Sequence, residues 1–267
     1  MHTHLIGILA TLLYLTTSLL LAVRLVRREP TLGHSTAIVL GLTAVLLHAV
    51  ALFPLLITDT GLNLGFFNAA SLVSWLTALL LLLSSLGRPL ESLGIILLPI
   101  SALSLALAFA YPSEHVMSSG RDWRLDLHIL LSILAYSLLV IATLQALVLS
   151  IQDRQIRNRH PGGLIRALPP LQVMETLLIQ LIGVGFSLLT LALLTGFFFL
   201  EDIFAQHLVH KTVLSLVAWA LFATLLWGRW RYGWRGRTII RWTLGGFVFL
   251  MLAYFGSKLV LELLLAR

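Results

Sequence analysis

The sequence contains no cysteine. This absence excludes disulfide bonds, thiolate catalysis, cysteine-bound iron–sulfur clusters and cysteine-ligated zinc. It also means that the protein has no thiol of its own to exchange with a substrate.

Charged residues are scarce as well. They make up 11% of the 267 residues, whereas hydrophobic residues make up 59%. A soluble domain has about 25% charged and about 45–50% apolar residues. A soluble fold of this size would lack the polar groups to cover its surface, and a lipid environment removes that conflict. The mean hydropathy of +0.98 agrees, so the composition predicts a membrane protein.

Basic residues outnumber acidic ones, which gives a formal net charge of +7. Most of them are arginines in short loops beside apolar runs, a pattern typical of membrane orientation. We therefore expect the lipid bilayer, and no nucleic acid, as a partner.

Eight apolar runs are long enough to cross a membrane. A helix needs roughly 20 apolar residues to span a bilayer core of about 30 Å, because its backbone polar groups must pair internally. The runs lie near residues 5–23, 36–57, 66–86, 92–110, 125–151, 174–200, 211–228 and 239–262. The first lacks a basic start and a small-residue cleavage site, so we interpret it as a retained helix. The chain is predicted to be all-α, a polytopic membrane helix bundle of about eight transmembrane helices in a single membrane domain, 1–267.

The arginines also predict an orientation. Alternate loops carry most of the basic residues, at 24–28, 88, 154–166 and 229–241, and the opposite loops are otherwise acidic or neutral. Basic loops face the cytoplasm. With an even number of spans, both termini are expected on the non-cytoplasmic side of the cell inner (plasma) membrane.

Glycines occur in pairs in the sixth and eighth spans, as Gly183 with Gly185 and Gly245 with Gly246. A missing side chain lets helices approach closely, so we expect all four glycines at helix–helix contacts.

Histidines within or beside the spans are candidate functional groups, because polar residues are costly in lipid. His48 lies in the outer half of the second span, His128 at the outer end of the fifth, and His207 and His210 just before the seventh. The predicted topology puts the last three near the outer membrane–water boundary. For each histidine, a structural role at a helix end or in a hydrogen bond is the competing interpretation.

Haem is the cofactor that this pattern favours. Neutral imidazole is a common ligand of haem iron, and apolar helices suit the macrocycle. Arg121 and Arg124 precede His128 and are placed to meet anionic propionates. The candidate cofactor-binding residues are His128, His210, His48, Arg121 and Arg124, with His128 and His210 as metal ligands and no catalytic residue.

Motifs between residues 122 and 256 form an ordered series. Trp123 is followed by His128 and Tyr136, and then by LIGVGFSLLTLALLTG (181–196), KTVLSLVAW (211–219), GWRGR (233–237) and YFG (254–256). In this order and spacing they resemble the cytochrome c assembly family, which includes the CcsA, CcmC and HemX-like proteins. The resemblance implies a haem-handling membrane scaffold and the role of external haem ligand for His128.

The chain also departs from that family. Its first 120 residues match less clearly, mainly the HemX-like branch through GLNLGFFNAASLVSW (61–75). Synthetase members present haem on a tryptophan-rich loop, whereas the corresponding segment here, 197–211, has no tryptophan. Relatives also carry a second external histidine beyond the last helix, and this chain has none there. We hypothesise that His210 or His207 replaces it.

Two functions stay open. The first is a haem-binding membrane protein that assists cytochrome c biogenesis or haem trafficking, more a delivery component than an enzyme. The alternative is a HemX-like membrane regulator, a partner of other membrane proteins that delivers no haem. A transporter is less favoured, because the sequence shows no matched pair of broken helices.

Overall fold

The computed structural model describes residues 2–27, 33–59, 61–112, 116–117, 123–158, 168–199 and 206–256. Its helices are α1 (His2–Arg27), α2 (His34–Leu56), α3 (Phe66–Ser85), α4 (Gly94–Ala110), α5 (Trp123–Arg157), α6 (Leu171–Phe199), α7 (Gln206–Tyr232) and α8 (Arg237–Met251). A short 3₁₀ turn precedes α4, and a π-helical turn, Leu252–Gly256, extends α8.

Within these residues, eight helices are long and apolar enough to cross a membrane, which confirms the predicted all-α polytopic bundle. Each predicted run coincides with one helix. Several helices extend past their apolar runs, α5 to Arg157 and α7 to Tyr232. Hydropathy locates the part of a helix that lipid covers, whereas the helix itself continues into the polar boundary. The predicted end of the eighth run, 262, lies outside the described residues.

A small sheet was not predicted. Strands β1 (Ile57–Thr58), β2 (Gly61–Asn63) and β3 (Val116–Met117) pair antiparallel in the order β1–β2–β3, with Leu62 opposite both Ile57 and Met117. Strands of two or three residues are too short to show an alternating pattern in the sequence.

The chain forms two compact units. The first comprises residues 1–120 with 162–168, and the second comprises 121–161 with 169–267. In the first, α1 and α3 each pack against both α2 and α4; in the second, α5 and α7 each pack against both α6 and α8. Each unit is therefore a ring of four helices. The single membrane domain over 1–267 stays a prediction.

Apolar side chains fill the centre of each ring. Fully buried residues in the first unit are Tyr14, Leu52, Leu81, Leu98 and Leu105, and in the second Leu139, Leu178, Phe222, Leu225 and Ile239. Many leucines and valines on the outer faces of these helices are exposed, and in a membrane-spanning bundle they meet lipid.

The glycine prediction is confirmed for two residues and wrong for two. A β-carbon on Gly185 would lie 2.9 Å from Leu139, and one on Gly246 would lie 2.9 Å from Phe222, so both sit at close helix contacts. A β-carbon on Gly183 or Gly245 would meet no described atom within 4 Å. Neighbours one or two positions apart point to different sides of a helix, and only one side faces the partner.

Candidate functional site

His128 lies in the second turn of α5 and faces the end of α6. Its Nδ1 is 2.9 Å from the carbonyl oxygen of Ala192 and 3.3 Å from Oγ1 of Thr195. The side chain is half-buried. The antiparallel packing of α5 against α6 brings the start of one helix to the end of the other.

The Ala192 contact determines the protonation pattern of the ring. A carbonyl oxygen only accepts hydrogen bonds, so Nδ1 of His128 carries the proton and donates it. The Nε2 atom of the neutral ring then keeps its lone pair. Within the described part of the chain, Nε2 makes no hydrogen bond. Histidines that bind metals are commonly oriented in this way, with the other ring nitrogen donating to a carbonyl.

Aromatic rings and a cation lie about one helical turn away from this histidine along α5 and α6. The Arg124 guanidinium lies 6.0 Å from the Trp123 ring centre and 5.7 Å from that of Phe199. The two rings are themselves 6.0 Å apart. The first turn of α5 and the end of α6 therefore combine apolar ring faces with positive charge. Arg121 lies outside the described residues.

Motifs that lie far apart in the sequence meet within the second unit. Trp219 of α7 donates its Nε1–H to Oγ1 of Thr190 on α6 at 2.9 Å and stacks on Phe186 with ring centres 5.6 Å apart. Tyr136 of α5 contacts Tyr254 and Phe255, with ring centres 6.1 and 5.6 Å away. These contacts give the family-like motifs a physical role, since they join α6 to α7 and α5 to the end of α8.

His210 is not brought into contact with His128. It is an exposed residue of α7, and α7 packs against α6 and α8. Successive helices alternate in direction, so the first turns of α5 and α7 lie at the same end of the second unit. His207 belongs to the first turn of α7. No group of three or more histidine and carboxylate side chains that could hold a metal ion occurs among the described residues.

His48 is fully buried in the first unit, and both of its ring nitrogens are engaged. Nδ1 lies 3.1 Å from the Tyr14 hydroxyl, and Nε2 lies 2.9 Å from the Ser71 hydroxyl. A neutral imidazole has one N–H, so one hydroxyl donates to the ring and the other accepts from it. Iron could bind His48 only after one of these hydrogen bonds had broken. This histidine ties α1, α2 and α3 together.

Sequence reasoning did not identify the partners of His128 and His48. The Ala192 carbonyl belongs to the backbone and has no sequence signature. Thr195 lies in the family-like segment 181–196, which was its only signal. Ser71 likewise lies in the family-like segment 61–75, and Tyr14 has no signal. Neither could be paired with His48 from the sequence, because Tyr14 and Ser71 are 34 and 23 residues away along the chain.

Comparison with known proteins agrees with the resemblance of the motifs. The family described as Cytochrome C assembly protein matches residues 36–265. Inner membrane protein YpjD of Escherichia coli strain K12 is 36% identical over 235 residues, which cover 85% of this chain and 87% of that protein.

Matches of lower identity extend to biogenesis proteins. Cytochrome c biogenesis protein CcsA of Prochlorococcus marinus strain MIT 9515 is 27% identical over 195 residues, 63% of this chain and 62% of that protein. The corresponding protein of Chlamydomonas reinhardtii is 26% identical over 182 residues, 64% of this chain and 50% of that protein. No solved structure matches the chain. With a family match over most of its length and eight helices able to span the bilayer, the chain is a multi-pass inner membrane protein that belongs to the cytochrome c assembly family.

Proposed function

We propose that this protein binds haem near the outer membrane face and assists cytochrome c biogenesis or haem trafficking. The observation that carries the proposal is the hydrogen bond from His128 Nδ1 to the Ala192 carbonyl, which leaves the Nε2 lone pair for iron. The names of the CcsA relatives, cytochrome c biogenesis proteins, support the same process.

Each residue of the proposed site has a separate role. His128 would hold the iron through Nε2, and Arg124 with Arg121 would receive the propionates. Trp123 and Phe199 offer ring faces that suit a flat macrocycle, because aromatic and apolar surfaces stack on one another. Haem would supply the redox-active iron, and the chain would bind and orient it. His210 is the proposed second ligand.

His48 stays a prediction as an alternative second ligand. Its two hydrogen bonds favour a structural role, because a ligand would have to displace Tyr14 or Ser71 from a buried network. A buried hydroxyl that loses its partner costs roughly 1–3 kcal/mol. His210, which is exposed, carries no such cost.

An absorbance spectrum tests the proposal. Protein purified in mild detergent from haem-replete cells should show a Soret band that His128→Ala weakens strongly. His4→Ala is the control: His4 is another histidine near a helix start, exposed and with its ring against Phe109, and its loss should leave the band unchanged. His210→Ala should keep the haem but shift its absorbance maxima, because the iron would lose one of its two proposed protein ligands.

Two results would overturn the proposal. One is a folded wild type that stays colourless after incubation with haemin. The other is a His128→Ala variant with the same spectrum and the same haem content as the wild type. Circular dichroism of each variant separates loss of the ligand from loss of the fold.

A second function is favoured by one observation, the absence of tryptophan from residues 197–211. The protein would then be a HemX-like regulator that acts through partner proteins in the membrane. Site-specific cross-linking in intact membranes distinguishes the two. A specific partner that is captured equally by the wild type and by His128→Ala supports regulation.

A further inference from the structure

The α7–α8 turn, taken as residues 227–241, comprises the end of α7, the connection 233–236 and the start of α8. Its arginines are of two kinds. Arg229 and Arg237 are paired with acidic residues. Arg229 Nη1 lies 2.8 Å from Oε1 of Glu175, and Arg237 Nε lies 3.3 Å from Oδ2 of Asp153. These two arginines hold the turn against α6 and α5.

The other three arginines of the turn, Arg231, Arg235 and Arg241, are exposed. Among the described residues, none of the three has an acidic group within ion-pair distance. Arg231 lies over the ring of Tyr232, with its guanidinium carbon 5.9 Å from the ring centre. Three positive charges on one short segment therefore face outward without neutralisation by this part of the protein.

The backbone that carries Arg235 is fixed on both sides. The ring of Trp234 lies over Gly228 so closely that no β-carbon would fit there, and it stacks on Trp242. The Trp234 carbonyl accepts a hydrogen bond from Arg229 at 2.7 Å. On the other side, the Gly236 N–H donates to Oε2 of Glu175 at 2.9 Å. The backbone position of this basic residue is therefore fixed before a ligand binds, which lowers the cost of ordering the segment.

Exposed aromatic residues place the turn at the membrane surface. Trp230 is 76% exposed, Tyr232 69% and Trp227 57%. All three lie in the last two turns of a helix that can span the bilayer. Tryptophan and tyrosine concentrate at the level of lipid headgroups, where their rings are apolar and their N–H and O–H groups are solvated. The adjacent arginines would therefore stand level with lipid phosphates.

We propose that the α7–α8 turn is a binding site for the phosphate groups of anionic phospholipids. Arg231, Arg235 and Arg241 contact the headgroups, and Trp227 and Trp230 insert beside the upper acyl chains. Guanidinium groups bind phosphate oxygens through paired hydrogen bonds, which makes arginine well suited to this role. The exposed rings favour a lipid over a soluble phosphate compound, because they would otherwise stand in water.

The test measures phosphatidylglycerol retained by the detergent-purified protein, by native mass spectrometry, with phosphatidylcholine as the neutral reference. The triple variant Arg231→Gln, Arg235→Gln, Arg241→Gln should bind phosphatidylglycerol roughly 100-fold more weakly, since each arginine near an anionic surface contributes about fivefold. A control variant, Arg27→Gln with Arg88→Gln, removes basic charge from exposed positions in the first unit. Because these two arginines lie on separate loops and the site itself stays intact, the loss should be less than about fivefold, the contribution of one arginine near an anionic surface. Equal losses in the two variants would overturn the proposal.

The variant Glu175→Ala distinguishes a preorganised lipid site from a general electrostatic attraction between the basic protein and anionic lipids. It removes no basic residue and makes the protein more positive, so general attraction predicts tighter lipid binding. Loss of the Gly236 and Arg229 anchors predicts weaker binding, by about fivefold or more. A Glu175→Ala variant with native circular dichroism and unchanged or tighter binding would contradict the proposal.

Discussion

His128 and Ala192 are joined by a hydrogen bond of 2.9 Å that links the second turn of α5 to the last turns of α6. The bond fixes the rotation of the imidazole as well as the position of its proton. Thr195, at 3.3 Å from the same nitrogen, limits the space for a second orientation. The direction of Nε2 is thus determined by the packing of two helices.

Arg124 should contribute to haem affinity if it meets a propionate. Arg124→Gln is expected to weaken haem binding roughly 10-fold, since a hydrogen bond to a charged group contributes about 1.5–3 kcal/mol and exposure reduces that value. A haem titration followed by absorbance measures the change. Arg154→Gln, an exposed arginine at the opposite end of α5, is the control. Equal effects of the two changes would remove Arg124 from the site.

Gly246→Ala is expected to destabilise the second unit by roughly 1–3 kcal/mol, because its β-carbon would overlap the buried ring of Phe222. Gly245→Ala faces open space and should be neutral or slightly stabilising, since alanine favours helix by about 1 kcal/mol over glycine. Thermal unfolding in detergent compares these adjacent substitutions. If both variants unfold at the same temperature, the α7–α8 contact is not as close as described.

Tyr14→Phe should destabilise the first unit by about 0.5–1.5 kcal/mol, because it removes one of the two hydroxyls bonded to the buried His48 ring. Tyr232→Phe, on an exposed tyrosine, should change nothing. Reversible unfolding in mixed micelles measures both free energies. If Tyr14→Phe left the free energy of unfolding unchanged, the hydrogen bond between this hydroxyl and His48 would not contribute to stability.

Glu175→Ala should open the α7–α8 turn to trypsin, which cleaves after the arginines there. The wild-type carboxylate, 15% exposed, accepts from both Arg229 and Gly236. Losing a partly buried, charged hydrogen-bond acceptor costs about 1.4 kcal/mol or more, so cleavage should be at least roughly 10-fold faster. Asp126→Ala, an exposed acidic residue on α5, serves as the control and should leave the cleavage rate unchanged.

The absence of cysteine allows a direct test of the predicted orientation. Tyr111→Cys at the end of α4 should react with a membrane-impermeant maleimide in intact spheroplasts. Tyr232→Cys at the end of α7 should react only after permeabilisation. Both tyrosines are exposed, so accessibility depends on the side of the membrane. The opposite labelling pattern would invert the topology and place the proposed haem site at the cytoplasmic face.

The sequence predicted the membrane-spanning helices well, because lipid constrains both the length and the composition of each span. Eight apolar runs predicted eight helices, because a span must be long enough and must satisfy its own backbone. Side-chain direction could not be obtained in the same way. Gly183 and Gly185 have similar neighbours in the sequence, yet only Gly185 lies against Leu139. Which of the two faces α5 depends on where α5 packs, and the sequence of α6 does not contain that information.

The candidate site was predicted in part. A family-like motif drew attention to His128, and its place at the start of a long helix agrees with that prediction. The hydrogen bond that orients it ends on a backbone carbonyl, which every residue has. The fully buried position of His48 likewise depends on helices that follow and precede it, so hydropathy alone could not distinguish a ligand from a hydrogen-bonded core residue.

The three residues of the His48 network come from three successive helices, Tyr14 first and Ser71 last. As the chain is synthesised, α1 and α2 can form a hairpin in which one ring nitrogen is already satisfied. The other nitrogen finds its partner only when α3 arrives. The histidine therefore completes both of its hydrogen bonds only when all three helices are packed together.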